Sequence, residues 1–167
     1  IKPERGIEAE AGMDASLAGG RFGVEFTYYE RYTRDALMAV AVPPSTGFMG
    51  VSLENLGTIA NRGIELSLTA SPLRRNRLAW DTQLGLSTNR NRLVAFGYDR
   101  TPIALSIYQP VQRHQPGYPL GAYWGNLPLP DASGALVRNP GGGLVADSQV
   151  YIGPSSPTRE AALGNTI

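Results

Sequence analysis

Gly63-Ile64-Glu65-Leu66-Ser67-Leu68-Thr69-Ala70-Ser71 alternates without a break between apolar residues and polar residues or glycine. Successive side chains on a strand point to opposite faces, so the stretch reads as an amphipathic strand. Three more stretches repeat the pattern. Ile7, Ala9, Ala11, Met13, Ala15 and Leu17 alternate with Glu8, Glu10, Gly12, Asp14 and Ser16. Phe22, Val24, Phe26 and Tyr28 alternate with Arg21, Gly23, Glu25, Thr27 and Tyr29. Leu78, Trp80, Leu84 and Leu86 alternate with Ala79, Asp81, Gln83, Gly85 and Ser87, and Thr82 interrupts the apolar set. Strands are expected near 6–17, 21–34, 60–71 and 78–89, with a further one beginning at 159–167. A tilted strand crosses a bilayer in about 9–11 residues, and these stretches are long enough.

A soluble sandwich makes the same period-two pattern. The connections separate the two readings better. Ala18-Gly19-Gly20 and Pro72-Leu73-Arg74-Arg75-Asn76 are short, whereas the segments 39–59 and 90–158 are long. Short and long connections thus alternate, as they do in membrane barrels with short periplasmic turns and long outer loops. Sequential strands joined by tight turns usually pair. The expected fold is therefore all-β, an antiparallel up-and-down meander forming a fragment of a transmembrane β-barrel with long extracellular loops. A soluble or surface-attached β-sandwich binding module is the competing class, and a dry core built from the same apolar set would favour it.

Composition narrows the function classes. The net charge of +1 leaves no nucleic-acid footprint, and Arg74, Arg75 and Arg77 read as a solvated turn. The 20 glycines and 13 prolines gather in the connections, which suits turns and long loops. With no cysteine, disulfides and thiolate metal sites are excluded. The longest apolar run, Ala36 to Val42, reads as the end of the second strand entering a loop.

Chemistry is sparse, and no enzyme, metal site or cofactor is expected. His114, the one histidine, sits in a polar stretch without an evident partner and reads as solvated. No nucleophile elbow, P-loop or dinucleotide fingerprint occurs. The acids Glu8, Glu10 and Asp14 suit a polar barrel lumen. In the long loop, Tyr98, Tyr108, Tyr118, Tyr123 and Trp124 suit either ligand stacking or loop packing. Tyr118, Tyr123 and Trp124, near glycines, are the ligand-binding candidates.

Several segments resemble, in order, a known family. Ile1-Lys2-Pro3-Glu4-Arg5 before an acidic alternating strand is similar to the strand opening of TonB-dependent outer-membrane receptors. Asn55-Leu56-Gly57, Asn61-Arg62-Gly63-Ile64-Glu65-Leu66 and Ser87-Thr88-Asn89-Arg90-Asn91 resemble the SusC/RagA branch. So do Pro43-Pro44-Ser45-Thr46-Gly47-Phe48, Gly117-Tyr118-Pro119-Leu120-Gly121 and Tyr151-Ile152-Gly153-Pro154.

The resemblance implies a barrel of about 22 strands in the outer membrane, plugged by an amino-terminal domain and energised through TonB. It also implies a SusD-like lipoprotein lid and import of a nutrient such as a glycan or peptide. On this reading the chain is a piece of the barrel and lacks the plug domain. Glu8, Glu10, Asp14, Glu25, Glu65, Asp81 and Gln83 would face plug and lumen, and the apolar sets would face outer-membrane lipid. Asp131-Ala132-Ser133-Gly134 and Asn139-Pro140-Gly141-Gly142 stand where many members carry a more acidic stretch, so an ion or contact that needs those acids is not implied.

Overall fold

The computed structural model describes residues 1–42, 45, 47, 50–97, 102–105 and 111–167. Tyr98, Tyr108 and part of the Pro43–Phe48 segment lie outside the described residues. Four long antiparallel strands come first: β1 (Arg5–Leu17), β2 (Phe22–Ala41), β3 (Val51–Arg75) and β4 (Leu78–Phe96). Four short strands follow: β5 (Ile103–Ala104), β6 (Gln112–His114), β7 (Ala122–Pro128) and β8 (Ala146–Gly153). The chain then returns in β9 (Arg159–Thr166), which pairs with β4. One sheet has the order β1-β2-β3-β4-β9 and the other β5-β6-β7-β8. The expected meander is present, and residues 62–71 are strand throughout.

Register turns the alternating pattern into a surface. Met13, Phe26, Leu66, Leu86 and Ala161 form one row across five strands. Ala15, Val24, Leu68, Leu84 and Leu163 form the next. Directly paired residues share a face, so the apolar sets build one continuous wall. Met13 is 61% exposed and Leu163 69% exposed, while Phe26, Leu66, Leu68 and Leu84 are partly exposed. Among the described residues no second layer covers this wall, which disfavours the sandwich. The opposite face carries Asp14 paired with Glu25, Thr27 with Glu65, and Thr69 with Gln83. All seven polar residues assigned to the lumen lie on that inner face.

The turns depart slightly from expectation. Residues 18–21 join β1 to β2, with Ala18, Gly19 and Gly20 all at positive φ. Only Asn76 and Arg77 join β3 to β4, because β3 continues through Pro72 as an irregularity between Ala70 and Leu73. A bulge accommodates a proline that cannot donate to the ladder.

Larger corrections concern the long connections. The segment 39–59 is mostly strand: β2 runs to Ala41 and β3 starts at Val51. Alternation fails there for a physical reason. Arg34 and Asp35 together oppose Thr58, and Asp35 takes φ 55. This bulge reverses the parity of β2. Beyond it Ala36, Met38 and Val40 turn inward and are buried, while Leu37 stays exposed outside. Apolar residues on both faces give the unbroken run that sequence reading placed at the edge of a loop. The segment 90–158 is also not a plain loop. β4 continues to Phe96, and four short strands follow.

The core sits where the two sheets meet. Met38, Val40, Leu56, Leu93 and Ile103 are buried together, with Ile59, Phe96 and Leu120 packed against them. Each such side chain contributes about 1.5–3 kcal/mol on burial. The small sheet therefore rests on the inner face of the long strands, at the end where the long connections lie. At the amino terminus, Asn55 Nδ2 donates to the carbonyls of Lys2 (2.8 Å) and Asp35 (2.7 Å), and its Oδ1 accepts from the Lys2 N–H (2.6 Å). Glu4 accepts from the Leu37 N–H at 2.6 Å. The Lys-Pro-Glu opening and the Asn-Leu-Gly segment thus lock the bulge together.

Candidate functional site

The second sheet is fastened to the wall by a polar relay. Asn91 on β4 donates to Asn61 Oδ1 on β3 (2.6 Å), and Asn91 Oδ1 accepts from the Leu120 N–H (2.8 Å). Both asparagines pair across the inner face. Leu93 N–H donates to the Tyr118 carbonyl (2.9 Å) and Gly117 N–H to the Leu93 carbonyl (2.8 Å). Ser155 Oγ donates to the Leu120 carbonyl (3.0 Å) and Gln112 Nε2 to the Gly121 carbonyl (3.3 Å).

His114 is part of this fastening and is not a solvated loop residue. Its Nδ1 accepts the Gly121 N–H at 3.0 Å, so the neutral ring carries its proton on Nε2. Half-burial lowers its pKa below the ordinary 6.5 by disfavouring the charged form. The Gly121 backbone has φ 61, a conformation glycine adopts without steric cost.

Two of the three aromatic candidates meet. Tyr118 and Trp124 lie edge to face with centroids 4.7 Å apart. Tyr151, which sequence reading did not single out as a site residue, completes the cluster at 5.0 Å from Tyr118 and 5.6 Å from Trp124. Arg113 stacks its guanidinium 3.8 Å from the Trp124 ring centre and donates through Nη1 to Gln149 Oε1 at 2.6 Å. The signal for Tyr151 was its place in the family-like Tyr151-Ile152-Gly153-Pro154 segment; Arg113 carried none. Trp124 is 5% exposed, so it joins the packing between β6, β7 and β8. Tyr123, its neighbour on β7, points the other way and is 41% exposed. Trp124 Nε1 and Arg113 Nε are buried donors without a partner among the described residues. Each costs about 1–3 kcal/mol unless an acceptor reaches it.

Two hairpin turns extend from β7 toward β8. Asp131 Oδ1 accepts from the Ser133 and Ala135 N–H groups (2.8 and 3.0 Å), and Asn139 Oδ1 from those of Gly141 and Gly143 (3.1 and 2.9 Å). Pro130 bridges Leu136, and Arg138 bridges Leu144. Hydrogen bonds from Ser133 hold the Asp131 carboxyl below the usual range. These side chains cap their own turns, and no group of metal-binding residues occurs among the described residues.

A cavity of about 960 Å³ opens beside β4, between the long sheet and the segment that leads into β9. Its lining includes Tyr118 and Tyr151 on one side and Arg62, Arg90 and Arg159 on the other. Among the described residues no helix is long and apolar enough to cross a membrane, which leaves crossing by strands untouched.

The sequence matches the family described as "TonB dependent receptor-like, beta-barrel" over residues 1–160. Among curated proteins it is similar to the TonB-dependent receptor P26 of Formosa agariphila, 36% identical over 85 residues, covering 51% of this chain and 8% of that protein. It is also similar to the TonB-dependent receptor SusC of Bacteroides thetaiotaomicron, 26% identical over 99% of this chain and 18% of SusC. Among solved structures, the RagAB peptide transporter aligns with a TM-score of 0.76 at 19% identity, over 96% of this chain and 19% of the transporter chain. At that identity the likeness concerns the fold. The chain spans less than a fifth of the length of each of these relatives.

Proposed function

Since this chain belongs to the TonB-dependent receptor-like β-barrel family, we propose that it forms part of the wall and outer mouth of an outer-membrane importer. The observation that carries this reading is the uncovered apolar wall backed by a polar inner face, register row by register row. In water such a wall is an aggregation liability; in lipid it is the solvated surface. The free edges of β1 and β9 need partner strands, since hydrocarbon offers no hydrogen bonds.

The transported nutrient is a glycan or a peptide, the latter in keeping with the RagAB peptide transporter. Energy enters through a plug domain and TonB, and a SusD-like lipoprotein closes the mouth. The small sheet stands on the inner face at that mouth and meets substrate or lid. Tyr118, Tyr123 and Trp124 divide the work. Tyr123 is free to touch a partner or nutrient directly. Tyr118 lines the cavity, and Trp124 supports it from below.

The test is protease treatment of intact cells that produce the whole receptor. The exposed turns at Asp131–Gly134 and Asn139–Gly142 are cleaved from outside if the small sheet faces the medium. Cleavage only after the outer membrane is opened reverses the orientation and defeats the proposal.

A further inference from the structure

Arginines scattered in sequence are gathered by register on the outer face, just beyond the apolar wall. Arg62 of β3 stands directly opposite Arg90 of β4. Arg159 of β9 pairs with Thr88, one row closer to the wall, and Arg92 pairs with Ala60, one row further out. Rows on one face repeat about every 6.8 Å along a strand, and strands lie about 4.8 Å apart. Four guanidinium groups therefore anchor within a patch of about 14 by 10 Å. Arg5 and Arg34, themselves paired, continue the band on β1 and β2.

Like charges directly opposite each other destabilise a sheet. Only Glu30, opposite Arg62, supplies an acid in these rows, and it also accepts the Tyr32 hydroxyl. Arg62, Arg90, Arg92 and Arg159 are all exposed, and none makes a side-chain hydrogen bond or ion pair with another described residue. The same four line the outer side of the cavity at the edge of β4, together with Thr88, Ser156 and Thr158, while Tyr118 and Tyr151 line it from the inner side. A guanidinium fork with nearby hydroxyls matches phosphate oxygens.

Height settles the source of the phosphate. Trp80 lies near the turn end of the wall and is partly exposed, as interface aromatics are. From Trp80 to Arg90 along β4, at about 3.4 Å per residue and a tilt of about 40°, the rise is about 26 Å. An apolar band of a barrel is about 25 Å tall. The arginines thus stand at the headgroup level of the leaflet on the loop side.

We propose that Arg62, Arg90, Arg92 and Arg159 form a site for the phosphorylated headgroup of an outer-leaflet lipid. It rests on the reading of the apolar wall as lipid-facing. The lipid's acyl chains cross the Phe26–Leu66–Leu86 row of the apolar wall and its phosphates reach the arginines.

The experiment uses the whole receptor, delipidated in detergent and offered lipid A with or without its phosphates, with bound lipid read by native mass spectrometry. The expected result is retention of phosphorylated lipid A about tenfold or more above the dephosphorylated form. The fourfold variant Arg62→Gln/Arg90→Gln/Arg92→Gln/Arg159→Gln loses that preference. Equal retention of the two lipids by the wild-type receptor overturns the proposal, as does displacement of lipid A by millimolar inorganic phosphate. Photo-crosslinking needs no arginine change: a benzophenone at Ala60 captures lipid A in native membranes, and one at Ser67, on the inner face, does not. Capture at Ser67 instead of Ala60 defeats the lipid-facing reading itself, whereas capture of both lipid forms alike at Ala60 defeats only the headgroup site.

Discussion

The Asn55 side chain holds both backbone groups of Lys2, accepting from its N–H at 2.6 Å and donating to its carbonyl at 2.8 Å. The same amide reaches the Asp35 carbonyl in the bulge. One side chain thus ties the chain segment entering β1 to the point where β2 changes parity.

Replacing Asn55 by Ala removes three hydrogen bonds at an exposed site. The expected loss is about 1–2 kcal/mol, read in the whole receptor as a lower midpoint for heat-induced loss of the compact barrel band. Asn55→Asp keeps the acceptor but turns a second acceptor oxygen toward the Lys2 and Asp35 carbonyls, and should be no more stable than the alanine variant. An unchanged midpoint for Asn55→Ala would show that the bulge holds without it.

Gly63 has no room for a side chain. A Cβ there would run into the Thr88 carbonyl oxygen and stand 2.6 Å from the Tyr29 hydroxyl, whose ring lies across the glycine. The carbonyl belongs to the ladder and cannot yield. Gly63→Ala is expected to reduce the amount of assembled barrel several-fold, while Gly164→Ala, with nothing within 4 Å, leaves it unchanged. Equal assembly of both variants would contradict the packing described.

His114 makes the small sheet sensitive to acid. Its folded pKa lies below the ordinary 6.5, so between the two values the unfolded segment binds more protons than the folded one. Stability is full above 6.5 and falls as pH drops through that window, levelling off below the folded value. Protonation also removes the acceptor for Gly121. Hydrogen exchange at the Gly121 amide, corrected for its intrinsic pH dependence, should be faster at pH 5.5 than at 7.5, and His114→Phe should abolish the difference. Equal corrected protection at the two pH values in the unmodified receptor would refute it.

Tyr123 and Trp124 are adjacent yet should behave differently. Tyr123→Ala should weaken uptake or lid binding with barrel assembly and protease resistance retained. Trp124→Ala should open the small sheet, costing about 3–5 kcal/mol as large core aromatics do, and show first as faster cleavage of residues 111–153. If Tyr123→Ala leaves uptake and lid binding intact, its exposed ring is not a contact.

Much of this is legible in the sequence, and for one reason. Where one face of a sheet is an apolar wall and the other is polar, period two is enforced residue by residue, as from Ile64 to Ala70. The pattern fades where that constraint ends. Met38 and Val40 lie under a second sheet, and the Arg34–Asp35 bulge reverses parity, so β2 was read as ending early. β5 and β6 have two and three residues and are too short to show any period. His114 looked solvated because its partner is a backbone N–H, which no sequence pattern marks. Of the aromatic candidates, Tyr118 and Trp124 came together and Tyr123 did not, since strand neighbours face opposite ways. The arginine band was overlooked because its members join only through register.

The central claim is that one face of this sheet meets lipid and the other does not. It is tested most directly by placing a nitroxide at each position from Ile64 to Ala70 in the membrane-embedded receptor and comparing collision rates with oxygen and with a water-soluble nickel complex. Strict alternation is expected, with oxygen contact high at 64, 66, 68 and 70 and low at 65, 67 and 69. A flat profile, or one with the odd positions in lipid, would contradict it.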